Sequence, residues 1–388
     1  MEKGKNKVDV FLVASKGIPA RYGGFETFAD RLVSGKKSQA IQYHVSCMDS
    51  EEKQFTYQGA DCFGVKLPLP GAAGRILHVS RVLSRVETFA RNHSGNKIVV
   101  CILGCRIGPL MKHHAKRLRR LGVTICVNPD GLEWKRAKWK GPLGKFLLFC
   151  EKCLVINSDL AICDSRNIES YIRKTYASRV KETTFIAYGA EVRTSKASEQ
   201  EFQDFCAEHQ ISKEGYFLIV GRFVPDNNYE TMLREFMSSD TKKDLVIISN
   251  VENNKFYKRL RTTTGFEQDS RIKFVGTVYE QELLMKIREN AFAYLHGHEV
   301  GGTNPSLLEA LGSTGCNLLL DVGFNREVAK DGALYWSKEE GSLRDLIYQV
   351  EKMDEASVDR MSEIAKNRIR EEYNWDNIIS RYEEIFLR

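Results

Sequence analysis

The sequence of 388 residues lacks several features that mark common classes of protein. No apolar run approaches the roughly 20 residues that span a bilayer, because Glu151 and Lys152 interrupt the run at residues 146–156. The start carries Asp9 inside a short apolar run, so we do not expect a signal peptide. The absence of a Walker-type phosphate loop and of Gly-x-Gly-x-x-Gly after the first strand-like run argues against P-loop NTPases and classical dehydrogenases. These absences, with ten scattered cysteines, predict a cytoplasmic protein.

Charge is divided unevenly along the chain. The formal net charge is +7. Residues 1–190 contain 32 Lys and Arg against 16 Asp and Glu, a balance of +16, which leaves a balance of −9 for residues 191–388. Such asymmetry points to an anionic partner for the N-terminal half alone.

Short apolar runs alternate with amphipathic stretches along both halves of the chain. In the first half the strand-like runs are residues 8–14, 97–103, 123–128, 158–165 and 183–191. In the second half they are residues 216–221, 244–249, 272–276, 291–297 and 317–322. Strands separated by helices imply parallel sheets with right-handed crossovers. We therefore predict two Rossmann-like α/β domains, at residues 1–190 and 214–370, joined by a polar linker at residues 191–213.

The segment GGTNPSLLEALG, Gly301–Gly312, is typical of a loop that opens a helix at an anion site. Asn304 is a good N-cap, and Pro305 suits the first helical position. Gly301 and Gly302 have no Cβ, so an anionic group can approach the backbone amides closely. The free N–H groups and the positive dipole end of the helix favour that anion. The segment therefore predicts a phosphate cradle.

A second segment, GRFVPDNN at Gly221–Asn228, also follows a strand-like run. Arg222 offers a guanidinium that suits phosphate oxygens, although pairing with a surface carboxylate is the ordinary alternative. Asn227 and Asn228 either form a turn or contact the same ligand. Glu309, one turn into the predicted helix, either is a solvated helix residue or accepts hydrogen bonds from ribose or sugar hydroxyls. A phosphate cradle, a cation and a hydroxyl-binding carboxylate together describe a nucleotide-sugar site.

Further candidates follow other strand-like runs: a glycine pair with a flanking cation and ring, an aspartate, and two histidines. They are Arg21, Tyr22, Gly23, Gly24, Asp130, His296 and His298. The glycine pair either punctuates a loop or meets the ligand. The aspartate either forms a turn or orients and deprotonates an acceptor hydroxyl. Each histidine is either structural or in contact with a transferred sugar.

Two basic stretches, residues 112–122 and 135–149, account for much of the positive charge of the first half. Trp134 and Trp139 stand beside lysines and an apolar run in and next to the second stretch. Basic residues attract anionic headgroups, and aromatic rings favour the boundary of a bilayer. A solvated helix face is the ordinary alternative. The pattern predicts peripheral contact with a membrane, which a lipid-linked acceptor would explain.

With these segments in place, the chain resembles the GT-B glycosyltransferases, specifically the retaining family 4 group. GRFVPDNN is similar to the Gly-Arg…Lys-Asn loop of that family, and GGTNPSLLEALG to its helix-opening phosphate loop. Residues 374–386 resemble its terminal helix. GIPARYGGFETFADRL at residues 17–32 and NPDGLEWKRAKW at residues 128–139 resemble a subset of the family. That subset includes bacterial β-1,4-rhamnosyltransferases that use dTDP-L-rhamnose in capsule and cell-wall polysaccharide assembly.

The resemblance implies a GT-B fold, in which two Rossmann-like domains face a deep cleft and residues 371–388 form a helix that packs back on the N-terminal domain. It implies a retaining hexosyltransferase that moves L-rhamnose from dTDP-L-rhamnose to a lipid-linked saccharide at the inner face of the cell membrane. It implies no metal cofactor. In keeping with this, the chain lacks the Asp-x-Asp triplet that holds Mn²⁺ in the other main glycosyltransferase fold.

The resemblance also assigns residues. The implied catalytic residues are Asp130 and Arg222. The implied donor-binding residues are Gly23, Gly24, Arg222, Asn227, Asn228, Val278, Gly301, Gly302, Thr303, Asn304 and Glu309. The implied contacts with the sugar or the acceptor are Arg21, Tyr22, Glu133, Trp134, His296, His298 and Glu299.

Three positions depart from the family pattern. Asn227 stands where a lysine is usual, so Arg222 is the one fixed cation expected at the diphosphate. Gly301 stands where a glutamate is common, and Glu299 lies two residues earlier. Asp130 stands where many members have a histidine. These departures make the catalytic roles less transferable than the fold.

Other interpretations of the sequence stay open. The same scaffold suits another nucleotide sugar, such as a UDP-hexose, or a nucleotide-sugar epimerase, and a panel of donors separates these. A polyanion-binding protein would explain the basic half but neither Glu309 nor the Gly301 loop.

Overall fold

The computed structural model describes residues 7–20, 23–139 and 141–388. The chain divides into two compact units. The first unit combines the described residues up to Tyr188 with Trp375–Arg388, and the second unit is Gly189–Asn374. The chain therefore leaves the first unit once and returns to it at the end.

Strands and helices alternate along most of the chain. The strands are β1 (Val8–Val13), β2 (Ile41–Asp49), β3 (Gln54–Tyr57), β4 (Ala60–Lys66), β5 (Lys97–Leu103), β6 (Thr124–Asn128), β7 (Leu160–Cys163), β8 (Thr183–Phe185), β9 (Tyr216–Val220), β10 (Asp244–Ile248), β11 (Ile272–Phe274), β12 (Ala293–His296), β13 (Asn317–Leu320) and β14 (Leu334–Trp336). The helices are α1 (Gly24–Ser34), α2 (Gly71–Asn92), α3 (Gly108–Arg120), α4 (Pro142–Ile156), α5 (Arg166–Tyr176), α6 (Glu199–His209), α7 (Tyr229–Met237), α8 (Lys255–Thr264), α9 (Gln281–Glu289), α10 (Pro305–Ser313), α11 (Gly323–Ala329), α12 (Ser342–Val350), α13 (Glu355–Glu372) and α14 (Trp375–Leu387).

The sheet of the first unit has eight strands in the order β3-β4-β2-β1-β5-β6-β7-β8. Every neighbouring pair is parallel except β3 with β4, an antiparallel pair at one edge. Val8 pairs with Ile41 on one side and Lys97 on the other, so β1 lies inside the sheet, where its six residues are buried. The predicted parallel sheet is therefore confirmed, with β2, β3 and β4 as additions that the sequence did not indicate.

Helix α14 completes the first unit. The ring centroids of Phe28 and Tyr382 are 4.9 Å apart. The carboxylate of Glu383 accepts the backbone N–H groups of Lys37 at 2.8 Å and Ser38 at 2.9 Å, and Glu383 is buried. A buried carboxylate needs such donors, so these bonds fix α14 beside the end of α1.

The sheet of the second unit has six strands, all parallel, in the order β11-β10-β9-β12-β13-β14. Leu218 of β9 pairs with Tyr294 of β12. Because adjacent parallel strands end at the same edge of a sheet, the loops at residues 221–228 and 297–304 lie side by side. This topology brings the two segments that the sequence singled out to one place.

The predicted linker, residues 191–213, contains helix α6. A capping box begins the helix, in which Ser198 and Glu201 bond reciprocally to each other's backbone. Phe202 and Phe205 are buried in a core cluster of the second unit with Tyr216. The stretch is polar overall because only these two side chains of α6 are buried. Much of residues 191–213 is thus part of the second unit.

No helix within the described ranges combines the length and the apolar character needed to cross a membrane.

Candidate functional site

Two asparagines tie together the loops that follow β9 and β12. The Asn227 side chain bonds the Nδ1 atom of His298 at 2.8 Å and donates to the backbone oxygen of Arg222 at 2.8 Å. Asn228 donates to the backbone oxygen of Gly297 at 2.9 Å and to the carboxylate of Glu299 at 3.2 Å. Both asparagines therefore have a structural role. Asn227 closes the turn back to Arg222, and both side chains bond to the loop after β12. Contact with a donor stays a prediction for both.

Gly297 allows these loops to approach each other. A Cβ atom at this position would collide with the backbone oxygen of Asn227 and lie 3.0 Å from the Cε atom of Met232. Only a glycine fits there without a shift of the loop. Gly297 was not among the predicted site residues, although a glycine at the end of a strand-like run is a signal of close backbone approach.

The start of α10 has the predicted form. The Asn304 side chain accepts the backbone N–H of Ser306 at 2.9 Å, and Pro305 is the first helical residue. Gly301 has φ +153°, and a Cβ there would lie 2.9 Å from the Nε2 atom of His298. Gly302 and Thr303 are buried beside it. Backbone N–H groups and the helix dipole at this point favour an anion, so the geometry suits a phosphate group.

Arg222 lies in the loop at the same sheet edge. Its side chain is exposed. It makes no side-chain hydrogen bond or ion pair with any residue that the structure describes, so the surface-carboxylate alternative is not observed. A guanidinium without a partner beside a helix N-terminus can bind phosphate oxygens.

Glu309 has a partner that the sequence did not reveal. Its Oε2 atom lies 2.7 Å from the Nη2 atom of Arg288, which belongs to the last turn of α9. Arg288 is only 4% exposed. A basic residue in the last turn of a helix has an ordinary explanation in the helix dipole. The sequence therefore carried no signal that Arg288 faces α10.

A buried polar cluster lies beneath this ion pair. The hydroxyl of Tyr294 lies 3.0 Å from the Ser306 hydroxyl and 3.4 Å from the Nδ1 atom of His296, and it donates to the backbone oxygen of Val220 at 3.2 Å. Burial lowers the pKa of His296 to about 3, so its ring is neutral at physiological pH. The Nε2 atom of His296 has no hydrogen-bond partner within the described ranges.

Glu299 and Val278 occupy structural positions. The second carboxylate oxygen of Glu299 pairs with Lys338 at 2.5 Å, so the side chain is held by Lys338 and Asn228. Val278 is partly buried and packs against a core cluster of the second unit. Their predicted contacts with donor or sugar stay predictions.

In the first unit, the glycine pair stands at the start of α1. Gly23 is the N-cap residue with φ +126°, and Gly24 is the first helical residue. The Glu26 side chain accepts the backbone N–H of Lys16 at 2.7 Å, which joins the preceding loop to the helix. The neighbouring predictions at Arg21 and Tyr22 lie outside the described residues.

Asp130 forms the turn after β6. It has a left-handed backbone, with φ +63°. Its N–H donates to the side chain of Asn128 at 2.9 Å, and its own carboxylate accepts the N–H of Gly131 at 2.8 Å. The turn interpretation therefore describes this residue, and the catalytic role stays a prediction.

Glu133 is surrounded by donors from its own segment. It accepts the indole N–H of Trp139 at 2.7 Å and pairs with Arg136 at 2.9 Å and Lys138 at 3.3 Å. Burial raises the pKa of Glu133, but Arg136, Trp139 and Lys138 together bring it below its ordinary value. Trp134 is half-buried, with the Lys135 ammonium 5.4 Å from its ring centroid. The segment is a compact cluster, and its predicted acceptor contacts stay predictions.

Across the three described ranges, no group of three or more His, Cys, Asp or Glu side chains is arranged to hold a metal ion.

Comparison of the folded chain with solved structures decides the fold class. The sucrose-phosphate synthase tll1590 of Thermosynechococcus elongatus superposes with a TM-score of 0.81 over 98% of both chains, at 14% identity. The fold is GT-B. Anabaena Alr3699/HepE, solved in complex with UDP, superposes with a TM-score of 0.73 over 98% of this chain and 99% of its own, at 12% identity. The predicted fold class is thus confirmed.

Sequence comparisons give two further similarities. A family model described as a domain of unknown function, DUF1972, matches residues 7–191. The uncharacterized glycosyltransferase MJ1069 of Methanocaldococcus jannaschii is 24% identical over 250 residues, which are 61% of this chain. The match spans 60% of the length of that relative.

Proposed function

We propose that this protein is a glycosyltransferase whose second unit binds a nucleotide-sugar donor. The observation that carries the proposal is the placement of the α10 N-terminus and of Arg222 in neighbouring loops at one sheet edge, with no partner for the Arg222 side chain among the described residues. Gly301, with φ +153°, shapes the loop that leads into the helix, and anions are stabilised at the N-terminus of a helix. The GT-B fold supports the proposal, as does the similarity to MJ1069.

The residues at this edge suit the chemistry of transfer. Arg222 and the N–H groups of α10 would stabilise the charge that develops on the leaving diphosphate. Glu309 would accept hydroxyl hydrogen bonds from the donor. For the first unit, we propose separately that Asp130 orients the hydroxyl of the acceptor. The acceptor oxygen would bond to the anomeric carbon on the face where the bond to the diphosphate breaks, and its proton would pass to the departing phosphate. This course would give retention, as the resemblance to family 4 implies.

The donor that we propose is dTDP-L-rhamnose, used in the assembly of capsular or cell-wall polysaccharide. This choice is supported by the segments at residues 17–32 and 128–139, which are similar to those of bacterial rhamnosyltransferases. A UDP-hexose is the second candidate. It is favoured by HepE, which was solved with UDP, and by an E. coli protein solved with UDP-2-fluoro glucose.

Thermal unfolding with a panel of donors tests both the proposed donor site and the choice of dTDP-L-rhamnose. A ligand at one hundred times its Kd stabilises the folded state by about 2.7 kcal/mol, so the thermal unfolding temperature reports binding. We expect dTDP and dTDP-L-rhamnose to raise it, and dTDP-L-rhamnose to support transfer to a lipid-linked saccharide. A shift with UDP-hexoses alone would replace rhamnose by a hexose. No shift with any nucleotide sugar would remove the glycosyltransferase proposal.

We also propose that the first unit contacts the anionic inner face of the cell membrane, where a lipid-linked acceptor would reside. In and next to the predicted segment, Trp134 and Trp139 are half-buried, whereas Leu143, Phe146 and Phe149 of α4 are 41%, 39% and 52% exposed. Lys145 and Lys152 of the same helix are exposed as well. Apolar residues flanked by lysines are typical of an interfacial helix.

Helix α3 extends this surface with positive charge. It packs against α4, with Gly108 so close to the backbone of Cys150 that a Cβ would collide with it. Lys112, Lys116 and Arg120 of α3 are exposed. Each basic residue near an anionic surface contributes about 1 kcal/mol of attraction, so the composition of α3 complements that of α4.

Vesicle sedimentation tests the membrane contact. Removal of two exposed phenylalanines costs about 2 kcal/mol of membrane affinity for each, so Phe146→Ser with Phe149→Ser should abolish binding to phosphatidylglycerol vesicles. The matched control is Tyr348→Ser in the second unit, where the ring is 59% exposed. It should bind as the wild type does. If the double variant binds as well as the wild type and the control, α4 is not part of the contact. If the wild type binds vesicles of pure phosphatidylcholine as well as it binds phosphatidylglycerol vesicles, the basic residues have no role in the contact.

A further inference from the structure

Arg288 is a buried cation beside the proposed donor site. Its guanidinium lies 2.7 Å from the Oε2 atom of Glu309 and 3.5 Å from the hydroxyl of Ser306. Glu309 is its one ion-pair partner among the residues that the structure describes. Its Nε atom is buried there without a hydrogen-bond partner. The charge of Arg288 is therefore compensated by Glu309 and by little else.

The two ends of this ion pair differ in exposure. The side chain of Arg288 is 5% exposed, whereas that of Glu309 is 37% exposed. Removal of one partner of a buried pair is costly because it leaves an uncompensated charge. Arg288 thus needs Glu309 in place. Glu309, in contrast, keeps the rest of its carboxylate, beyond the bonded Oε2 atom, available to solvent or to a ligand.

The pair also joins two elements. Arg288 lies in the last turn of α9, and its backbone oxygen accepts the hydroxyl of Thr314, which follows α10. The side chain of Arg288 reaches Ser306 and Glu309 on the first two turns of α10. An unrestrained glutamate on a helix samples several rotamers, and ordering it on ligand binding has an entropic cost. A glutamate already bonded to a fixed guanidinium avoids most of that cost.

We propose that Arg288 is a positioning residue, which holds the carboxylate of Glu309 in the orientation that accepts a ribose hydroxyl of the nucleotide. This inference rests on the proposed function, since it assumes that the second unit binds a nucleotide sugar. Arg288 acts through Glu309 and has no contact of its own with the nucleotide. The discrimination between nucleotides with and without the hydroxyl should therefore depend on both residues together.

Calorimetric titration with two nucleotides tests the proposal on the full chain. The probes are dTDP, whose deoxyribose carries a 3′-hydroxyl, and its 2′,3′-dideoxy analogue, which lacks that hydroxyl. A hydrogen bond to a charged group is strong enough to make wild-type protein prefer dTDP by about tenfold or more. We expect Arg288→Met to lose this preference through weaker binding of dTDP, with binding of the analogue unchanged. Arg288→Lys, which keeps a cation, should recover part of the preference.

Three further proteins make the result specific. Glu309→Gln should lose the same preference, and the double variant should lose no more than either single variant, as residues that act as a unit require. Arg271→Met is the matched control. Arg271 pairs with Asp269 at 2.6 Å and bonds the backbone oxygens of Ser239 and Thr241, away from α10. The Arg271→Met variant should be less stable than the wild type and keep the full preference for dTDP over the analogue.

The outcomes separate this inference from the proposed function. If Glu309→Gln loses the preference and Arg288→Met keeps it, the positioning role is wrong and the donor site stands. If both variants keep it, neither residue serves the ribose. If the wild-type protein binds neither dTDP nor, in a parallel titration, UDP, the proposed function fails together with the inference.

Discussion

Polar residues that follow strands are used differently in the two units. In the second unit, Asn227 and Asn228 hold the loops together, and Arg222 is left without a partner among the described residues. In the first unit, Asp130 accepts the N–H of its own turn, and Glu133 is surrounded by donors. A position after a strand therefore does not by itself identify a ligand-binding group. A polar group that neighbouring residues already engage, such as Asp130, needs a direct test before a role in binding or catalysis is assigned to it.

The largest expected effect concerns Arg222 of the second unit, whose side chain has no partner among the described residues. We expect Arg222→Met to lower kcat/KM for the nucleotide sugar by about 100-fold to 1000-fold, because a preorganised charge at a leaving group is worth that much in similar cases. Steady-state kinetics measure it. Arg261→Met, which changes an exposed arginine of α8, is the control and should keep full activity. An unchanged kcat/KM for Arg222→Met would show that a side chain without a partner at this sheet edge does not mark the donor site.

Asp130 of the first unit already accepts the N–H of Gly131. Its substitution tests whether a turn-forming carboxylate can also take part in the reaction. Asp130→Asn keeps the side-chain oxygen that accepts the N–H of Gly131, so the turn is preserved. If Asp130 assists the acceptor hydroxyl, kcat falls by about 100-fold, and this is the result we expect. Turnover equal to that of the wild type would leave Asp130 with a structural role alone.

The junction of the two loops in the second unit is expected to be less tolerant than its surroundings. Gly297→Ala places a methyl group against the backbone of Asn227, and overpacking of this kind costs about 1–3 kcal/mol. We expect a lower melting temperature and weaker donor binding. Gly221→Ala in the same region meets its nearest neighbour, the Asn227 amide nitrogen, at 3.5 Å and should behave as the wild type. Equal stability of the two variants would contradict the close approach.

The buried His296 makes the second unit sensitive to acid. Its pKa is lowered by burial from 6.5 to about 3. The unfolded chain therefore binds a proton below pH 6.5 that the folded chain does not accept until about pH 3, so stability is present above pH 6.5 and is lost as the pH falls. The loss is about 1.4 kcal/mol per pH unit. Urea unfolding of wild type and His296→Asn at pH 7 and pH 5 should show a shallower loss for the variant, and parallel losses would contradict the assignment.

Glu133 should give the smallest effect on activity. Glu133→Gln keeps the hydrogen bond from Trp139 but weakens the pairs with Arg136 and Lys138, and we expect a loss of about 1 kcal/mol in the free energy of unfolding. Thermal unfolding measures it, and kcat should stay within about twofold of the wild type, a change of about 0.4 kcal/mol in the barrier. A large fall in kcat at unchanged stability would place Glu133 among the acceptor contacts.

Sequence patterns predicted the fold class and the start of α10 because these depend on local signals. The apolar run at residues 97–103 coincides with β5, and Asn304 with Pro305 begins α10 as expected. Strand β2 was missed because His44 interrupts its apolar pattern. The structure shows why a histidine is tolerated there, since it bonds the carboxylate of Asp9 at 2.8 Å.

The predicted strand at residues 183–191 is longer than the observed β8, which ends at Phe185. Beyond that point the chain approaches its later course, where the N–H of Ala190 donates to the backbone oxygen of Tyr373 at 2.7 Å. The ion pair of Arg288 with Glu309 was also beyond prediction. It depends on how α9 and α10 pack, and no spacing in the sequence encodes that contact.

The membership of α14 in the first unit sets the order in which the protein can be completed on the ribosome. The second unit is one continuous segment, Gly189–Asn374, and all of its strands and helices have been synthesised before the last helix begins. The first unit is begun first but lacks the partners of Phe28, Lys37 and Ser38 until Tyr382 and Glu383 have emerged. Domains generally fold as units during synthesis. Here the N-terminal unit is the last to be finished, and its incomplete surface beside α1 stays open to solvent or to a chaperone throughout translation of the second unit.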